Sequence, residues 1–325
     1  MTHEHQTKGH DHEHTRGVLG FVASVFRPHS HDAADSVDPA LESSQKGIRA
    51  LWISLVVLAV TAALQLGIVV VSGSVALLAD TIHNISDALT AVPLWIAFAI
   101  GRRPATRRYT YGYGRAEDLA GVCIVVAIAA SAVVAGYESV LRLVHPQEIM
   151  NVGWVFAAGI VGFVGNEAVA VLRINVGREI GSAALVADGL HARTDGFTSL
   201  AVVGGAIGVL AGFPLADPIV GVLITAVILV ILKGAATDIF RRLMDAVDPL
   251  LVEQTEQLLL KTDGVRGVEV VRLRWIGHHL HAEARLSVDA DLDLAAAHDI
   301  AHLAQDRLRQ LVPKLQDATV HVSPA

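Results

Sequence analysis

The chain has 325 residues, of which 53% are apolar and 18% charged, against about 25% charged in ordinary soluble domains, so the composition argues against a wholly soluble protein. The formal net charge is −7 and no segment is strongly basic, which excludes a nucleic-acid binder. The single cysteine, Cys123, sits in an apolar run, which excludes an intrachain disulfide and a thiolate metal cluster.

Residues 1–47 are polar and acidic and hold seven of the sixteen histidines, a composition that predicts a disordered, His-rich tail. Such a tail would either collect and sense metal or be dispensable. No signal peptide is expected, because the first long apolar stretch begins only at Ile48.

Apolar runs then recur at about 48–71, 75–100, 119–140, 152–172, 183–209 and 214–232. A helix needs about 20 residues to cross the hydrocarbon layer, so these runs predict six transmembrane helices within residues 48–237. The connection at 101–118 carries Arg102, Arg103, Arg107, Arg108 and Arg115. The next loop on that side is expected to carry Arg173 and Arg178, whereas the opposite loops offer little beyond Arg142. The positive-inside rule therefore places both termini in the cytoplasm of an integral protein of the cell or inner membrane.

Chemistry interrupts two of these spans. His83 and Asp87 lie four residues apart on one helical face of the second, and His191 and Asp195 repeat the arrangement in the fifth. Each motif starts eight residues into its span and ends twelve in, a depth of about 12–18 Å at 1.5 Å per residue, so two oppositely directed helices bring both near the midplane. Two imidazoles and two carboxylates there make an N2O2 set that balances a divalent cation and suits tetrahedral zinc. Hydrogen bonding across helices, or a proton relay without metal, would use the same residue types. Asp80 and Asp188 each stand three residues before a motif histidine, as supporting or pathway residues. Arg193 turns away from the ligands, towards a salt bridge with an intramembrane carboxylate such as Glu167.

These segments resemble the cation diffusion facilitators, proton-coupled exporters of zinc and other divalent metals. The resemblance covers nearly the whole chain from Ile48 and rests on GSVALLADTIHNISDAL, YTYGYGRAEDLAG, YESVLRLVHPQEI and LVADGLHARTDGFTSLAV. It implies that His83, Asp87, His191 and Asp195 form the transport site, with histidine at position 83 matching the zinc-preferring pattern. Iron, cobalt and cadmium carriers of the same family remain alternatives. Some members have another metal site on histidines after the second span, where this chain has Tyr109 and Tyr113.

Residues 238–325 read as a small cytoplasmic α+β domain of order αββαβ: a helix at 249–262, strands at 267–275 and 279–288, a helix at 293–311 and a strand at 318–323. The resemblance implies a ferredoxin-like fold. Alternation turns His279, His281 and Glu283 away from the apolar face of the second strand and His321 outward on the third, while His298 and His302 are one helical turn apart. By resemblance, His281, His298 and His321 match metal positions of relatives, Glu269 stands where a histidine can occur and Ser323 replaces a carboxylate. Solvated histidines on a sheet face would give the same pattern.

The expected function is proton-coupled antiport of a divalent cation, with Zn2+ as transported and regulatory ion and with protons, the lipid bilayer and a second copy of the chain as partners. Protonating His83 or His191 would expel metal. A membrane zinc enzyme is the alternative of another class. It would want three protein ligands and an open water position, whereas four ligands close this site and no HExxH occurs, so no enzymatic activity is expected.

Overall fold

The computed structural model describes residues 33–72, 81, 91–144, 152–213 and 215–325, with side chains from residue 42 onward. His83, Asp87 and Asp80 lie outside the described residues, as does the tail as far as residue 32. Helix α1 spans Ala33–Ser72, α2 Ala91–Gly101, α3 Arg115–Val144, α4 Val152–Ile180, α5 Ala183–Leu210 and α6 Ala216–Leu243. Four helical stretches are long and apolar enough to cross a membrane: Glu42–Ser72, Arg115–Val144, Val152–Ile180 and Ala216–Leu243. Among the described residues the membrane unit is therefore helical with four clear apolar spans.

Two of the six expected spans fall short of that measure for identifiable reasons. The second is described only from Ala91, as an apolar helix of 11 residues. The fifth, α5, has ample length at 28 residues, but Asp188, His191, Arg193 and Asp195 make its first half polar. On α1, α3 and α6, by contrast, Val70, Val133 and Val230 are more than two-thirds exposed, a surface suited to hydrocarbon.

Three expectations need correction. The tail is helical from Ala33, and its end is packed: Ser44 is buried, and a Cβ at Gly47 would meet the Phe98 ring at 2.8 Å. Arg173 is not in a loop but inside α4 and 2% exposed. Helix α6 continues to Leu243, so the two domains meet beyond residue 237.

Helices α4 and α5 pack closely on each other. A Cβ at Gly189 would meet the Ile174 nitrogen at 2.9 Å and the Ala170 oxygen at 3.0 Å, so only glycine allows this backbone approach. Lipid offers no hydrophobic drive to bring helices together, and close packing through small residues takes its place. The buried cluster around Leu94, Ile124, Ile128, Leu185 and Ile228 ties α2, α3, α5 and α6 together.

The C-terminal domain follows the expected order: α7 (Pro249–Leu260), β1 (Val265–Ile276), β2 (His279–Val288), α8 (Leu294–Leu311) and β3 (Leu315–Pro324). Asp248 caps α7 ahead of Pro249, and Asp293 caps α8 by accepting from the Ala296 amide. The sheet order is β1-β2-β3, with β1 antiparallel and β3 parallel to β2. Leu280, Ala282, Ala284 and Leu286 alternate inward on β2 and pack with Leu259, Ala304 and Leu308 of the helices.

Candidate metal-transport site

Helix α5 starts at Ser182, whose hydroxyl accepts from the Leu185 amide and fixes the phase of the helix. That phase turns His191 and Asp195 to the same interior face, with side chains 2% and 8% exposed and Nδ1 to Oδ1 3.9 Å apart. Neither ring nitrogen of His191 makes a hydrogen bond among the described residues. Buried polar atoms are normally satisfied, so a buried imidazole beside a carboxylate, with neither nitrogen bonded among the described residues, can offer a nitrogen lone pair to a cation. The Thr194 and Thr198 hydroxyls donate back to the His191 and Asp195 carbonyl oxygens, which loosens the helical ladder at these two residues.

Two ion pairs join α5 to α4. Arg193 donates twice to Glu167, at 3.1 and 2.6 Å, which makes the carboxylate given as an example from the sequence its partner. Asp188, expected as a supporting or pathway residue, lies 2.9 Å from Arg173, with the two side chains 0% and 2% exposed. The sequence reading placed Arg173 in a loop and missed this pair. Asn166, buried on α4 near Gly196, also escaped notice and carried no signal beyond being polar inside an apolar run.

The cytoplasmic candidates are dispersed within one chain. His281 stands opposite Arg274 on β1 and Asp317 on β3, whereas His321 stands opposite Arg285, four residues further along β2. Glu269 lies 3.9 Å from Arg285, and His298 contacts His302 on α8 with their Nε2 atoms 2.9 Å apart. Among the described residues no three His, Cys, Asp or Glu side chains gather as a metal site. Burial holds His281 below the usual histidine range, and burial together with the neighbouring His278 and His281 pushes His279 down to about 3. Tyr109 and Tyr113 pack ring to ring at 4.7 Å, and the Arg274 guanidinium covers the Tyr111 ring at 4.6 Å.

A further polar centre, unread in the sequence, joins the two domains. The β1–β2 turn inserts His278 between α1 and α3, where Nδ1 lies 2.6 Å from Glu117 and Nε2 3.3 Å from the Ser44 hydroxyl. Gly277 beside it has φ +61°, and a Cβ there would meet the Gly114 oxygen at 2.8 Å, so the turn requires glycine. An acidic pair, Glu117 and Asp118, at the head of an apolar helix was the available signal.

Residues 51–244 match the cation efflux transmembrane domain, and residues 247–325 match the cation efflux protein cytoplasmic domain. A probable cation efflux system protein of Mycobacterium tuberculosis is 64% identical over 316 residues, covering 97% of this chain and 95% of its own. The manganese efflux system protein MneP of Bacillus subtilis is 24% identical over 265 residues, covering 78% of this chain and 88% of its own. The magnetosome protein MamB of Paramagnetospirillum magneticum is 29% identical over 78% of this chain and 86% of its own. With both domains matched end to end, the chain belongs to the cation efflux, or cation diffusion facilitator, family of integral membrane metal exporters, which are transporters and not enzymes.

Proposed function

We propose that the protein exports Zn2+ from the cytoplasm in exchange for protons, through a midplane site made by His83, Asp87, His191 and Asp195. The observation that carries this is the buried His191–Asp195 pair on the interior face of α5, inside a transmembrane domain of the metal-exporting family. His83 and Asp87 repeat the spacing on the second span and supply the remaining nitrogen and oxygen donors. Two carboxylates balance the cation, and two imidazoles favour zinc over harder ions.

Zinc requires neutral imidazole and ionised carboxylate, so each proton taken up by the site opposes metal binding. Inward proton flow then drives metal outward, provided the site opens to one side at a time. The Arg193–Glu167 and Asp188–Arg173 pairs tie α5 to α4, so the two helices move as one body in that rearrangement. In this reading Asp188 and Asp80 position the ligands or line the path.

The remaining features of the reading are six spans with both termini cytoplasmic and a homodimer joined through the cytoplasmic domains. His281, His298 and His321, with Glu269, would bind regulatory zinc only once two chains bring them together. Reconstituted vesicles test the proposal: under an imposed pH difference zinc should accumulate against its gradient. Accumulation of manganese in preference to zinc would transfer the metal assignment to that ion, the one in the printed name of a relative 24% identical. Absence of pH-driven flux would remove the antiport.

A further inference from the structure

Where the membrane unit meets the cytoplasmic domain, a cavity of about 960 Å³ opens between the ends of α4, α5 and α6 and the strands beneath them. Arg178, Arg241, Arg242 and Lys314 line it, facing two carboxylates, Asp238 and Asp248. Four cations against two carboxylates leave the cavity an excess of positive charge.

The cations differ in their commitments. Arg242 is fixed, donating to the carbonyl oxygens of Gly181 at 2.8 Å and Gly277 at 3.3 Å and lying 4.1 Å above the Trp275 ring. Lys314 donates to the Arg178 carbonyl at 3.0 Å, and its ammonium, partly desolvated and close to Arg242, is held below the ordinary lysine range. Arg178 and Arg241 make no ion pair among the described residues. The first turn of α5, at Ser182 and Ala183, also opens into this space and adds the positive end of its dipole. Four cations thus stand against two carboxylates, and Arg178, Arg241 and Lys314 are exposed to whatever enters the cavity.

The wall towards the bilayer is apolar. Val186, Leu190 and Ala235 line the cavity, and Phe240 in the last turn of α6 and Met244 just beyond it are 64% and 66% exposed. A charged floor beneath an apolar wall, at the depth where membrane helices end, matches an amphiphile with a phosphate head better than a freely soluble anion.

We propose that this cavity binds the phosphate headgroup of an anionic lipid of the cytoplasmic leaflet, through Arg178, Arg241 and Lys314, with its acyl chains against Val186 and Leu190. A lipid held there would bridge the membrane helices to the cytoplasmic domain. The site is separate from the transport ligands, so its test is independent of the metal assignment.

The test uses the full-length protein in neutral detergent, melted with added phosphatidylglycerol, phosphatidylcholine or inorganic phosphate, with lipid adducts counted by native mass spectrometry. Phosphatidylglycerol should raise the melting temperature and leave a bound adduct, and phosphatidylcholine should do neither. Arg178→Gln with Arg241→Gln should weaken the phosphatidylglycerol response about tenfold or more, while Arg107→Gln with Arg108→Gln, on another cytoplasmic loop, should not. Equal loss in both double variants would reduce the effect to general surface attraction and overturn the site. A full shift from inorganic phosphate would overturn the lipid. Should the first double variant fail to fold, Lys314→Gln alone must show the same selective loss, and its failure to do so would also overturn the proposal.

Discussion

Glu117, at the head of α3, accepts from Nδ1 of His278 at 2.6 Å, across 161 residues of chain, and both side chains are at least 94% buried. With Ser44 on the other ring nitrogen, one histidine of the cytoplasmic domain holds two membrane helices together. His278→Ala leaves the Glu117 carboxylate buried without this donor and should cost about 1–3 kcal/mol, read as a lower melting temperature of the full chain. Glu117→Gln keeps an acceptor oxygen and should cost less. Equal stability of His278→Ala and the native chain would show that the turn does not bear on the membrane unit.

The Arg173–Asp188 pair makes a sharper prediction, because both groups are almost wholly buried. Arg173→Met strands a carboxylate and should destabilise by roughly 3–5 kcal/mol, and adding Asp188→Leu should recover much of the loss. If the double variant melts like the native protein yet transports poorly, Asp188 serves the pathway as well as the packing. If it transports normally, the pair is structural.

Under the proposed function, transport should depend on each of the two motif carboxylates. Asp195→Ala and Asp87→Ala each remove a charge that offsets the cation, and each should abolish zinc flux while the protein remains folded in the membrane. Robust flux in either would sink the site. His83→Asp exchanges a borderline nitrogen donor for a hard oxygen and should raise manganese uptake relative to zinc, a ratio measurable in the same vesicles.

For the cytoplasmic histidines, the expected effect is a zinc-dependent rise in melting temperature that is lost in the triple variant His281→Ala, His298→Ala, His321→Ala. At free zinc one hundredfold above the dissociation constant the stabilisation is about 2.7 kcal/mol. It should grow with protein concentration as well, since one chain does not gather the three residues. An identical response in native and triple-variant chains would leave these histidines as solvated surface groups.

His279 carries a pH prediction. Its folded value is pushed down to about 3 from 6.5, so between those limits the unfolded chain binds the additional proton. Stability from this group is complete above about 6.5 and is lost as pH falls towards 3. With zinc removed by a chelator, the melting temperature of His279→Gln should fall less steeply over that interval than the native curve. Parallel curves would remove His279 from the acid response.

The helical membrane unit, the αββαβ order and the His191–Asp195 spacing were all legible in the chain, because each depends on periodicity: 3.6 residues per helical turn, two per strand. That Arg193 meets an intramembrane carboxylate was readable, with Glu167 as one example, but which carboxylate it meets was decided by the packing of α5 on α4. Hydropathy misjudged Arg173, because a window scores a charge by its type and is blind to the Asp188 that neutralises it. Asp188, His191 and Asp195 make the first half of α5 polar, yet all three are buried, so the apolar length read from the sequence still describes the helix. The His278 turn, the basic cavity beneath α5 and the separation of His281 from His321 were decided only by the tertiary structure. Each depends on which surfaces two independently patterned domains present to one another, and no local period in either domain encodes that docking.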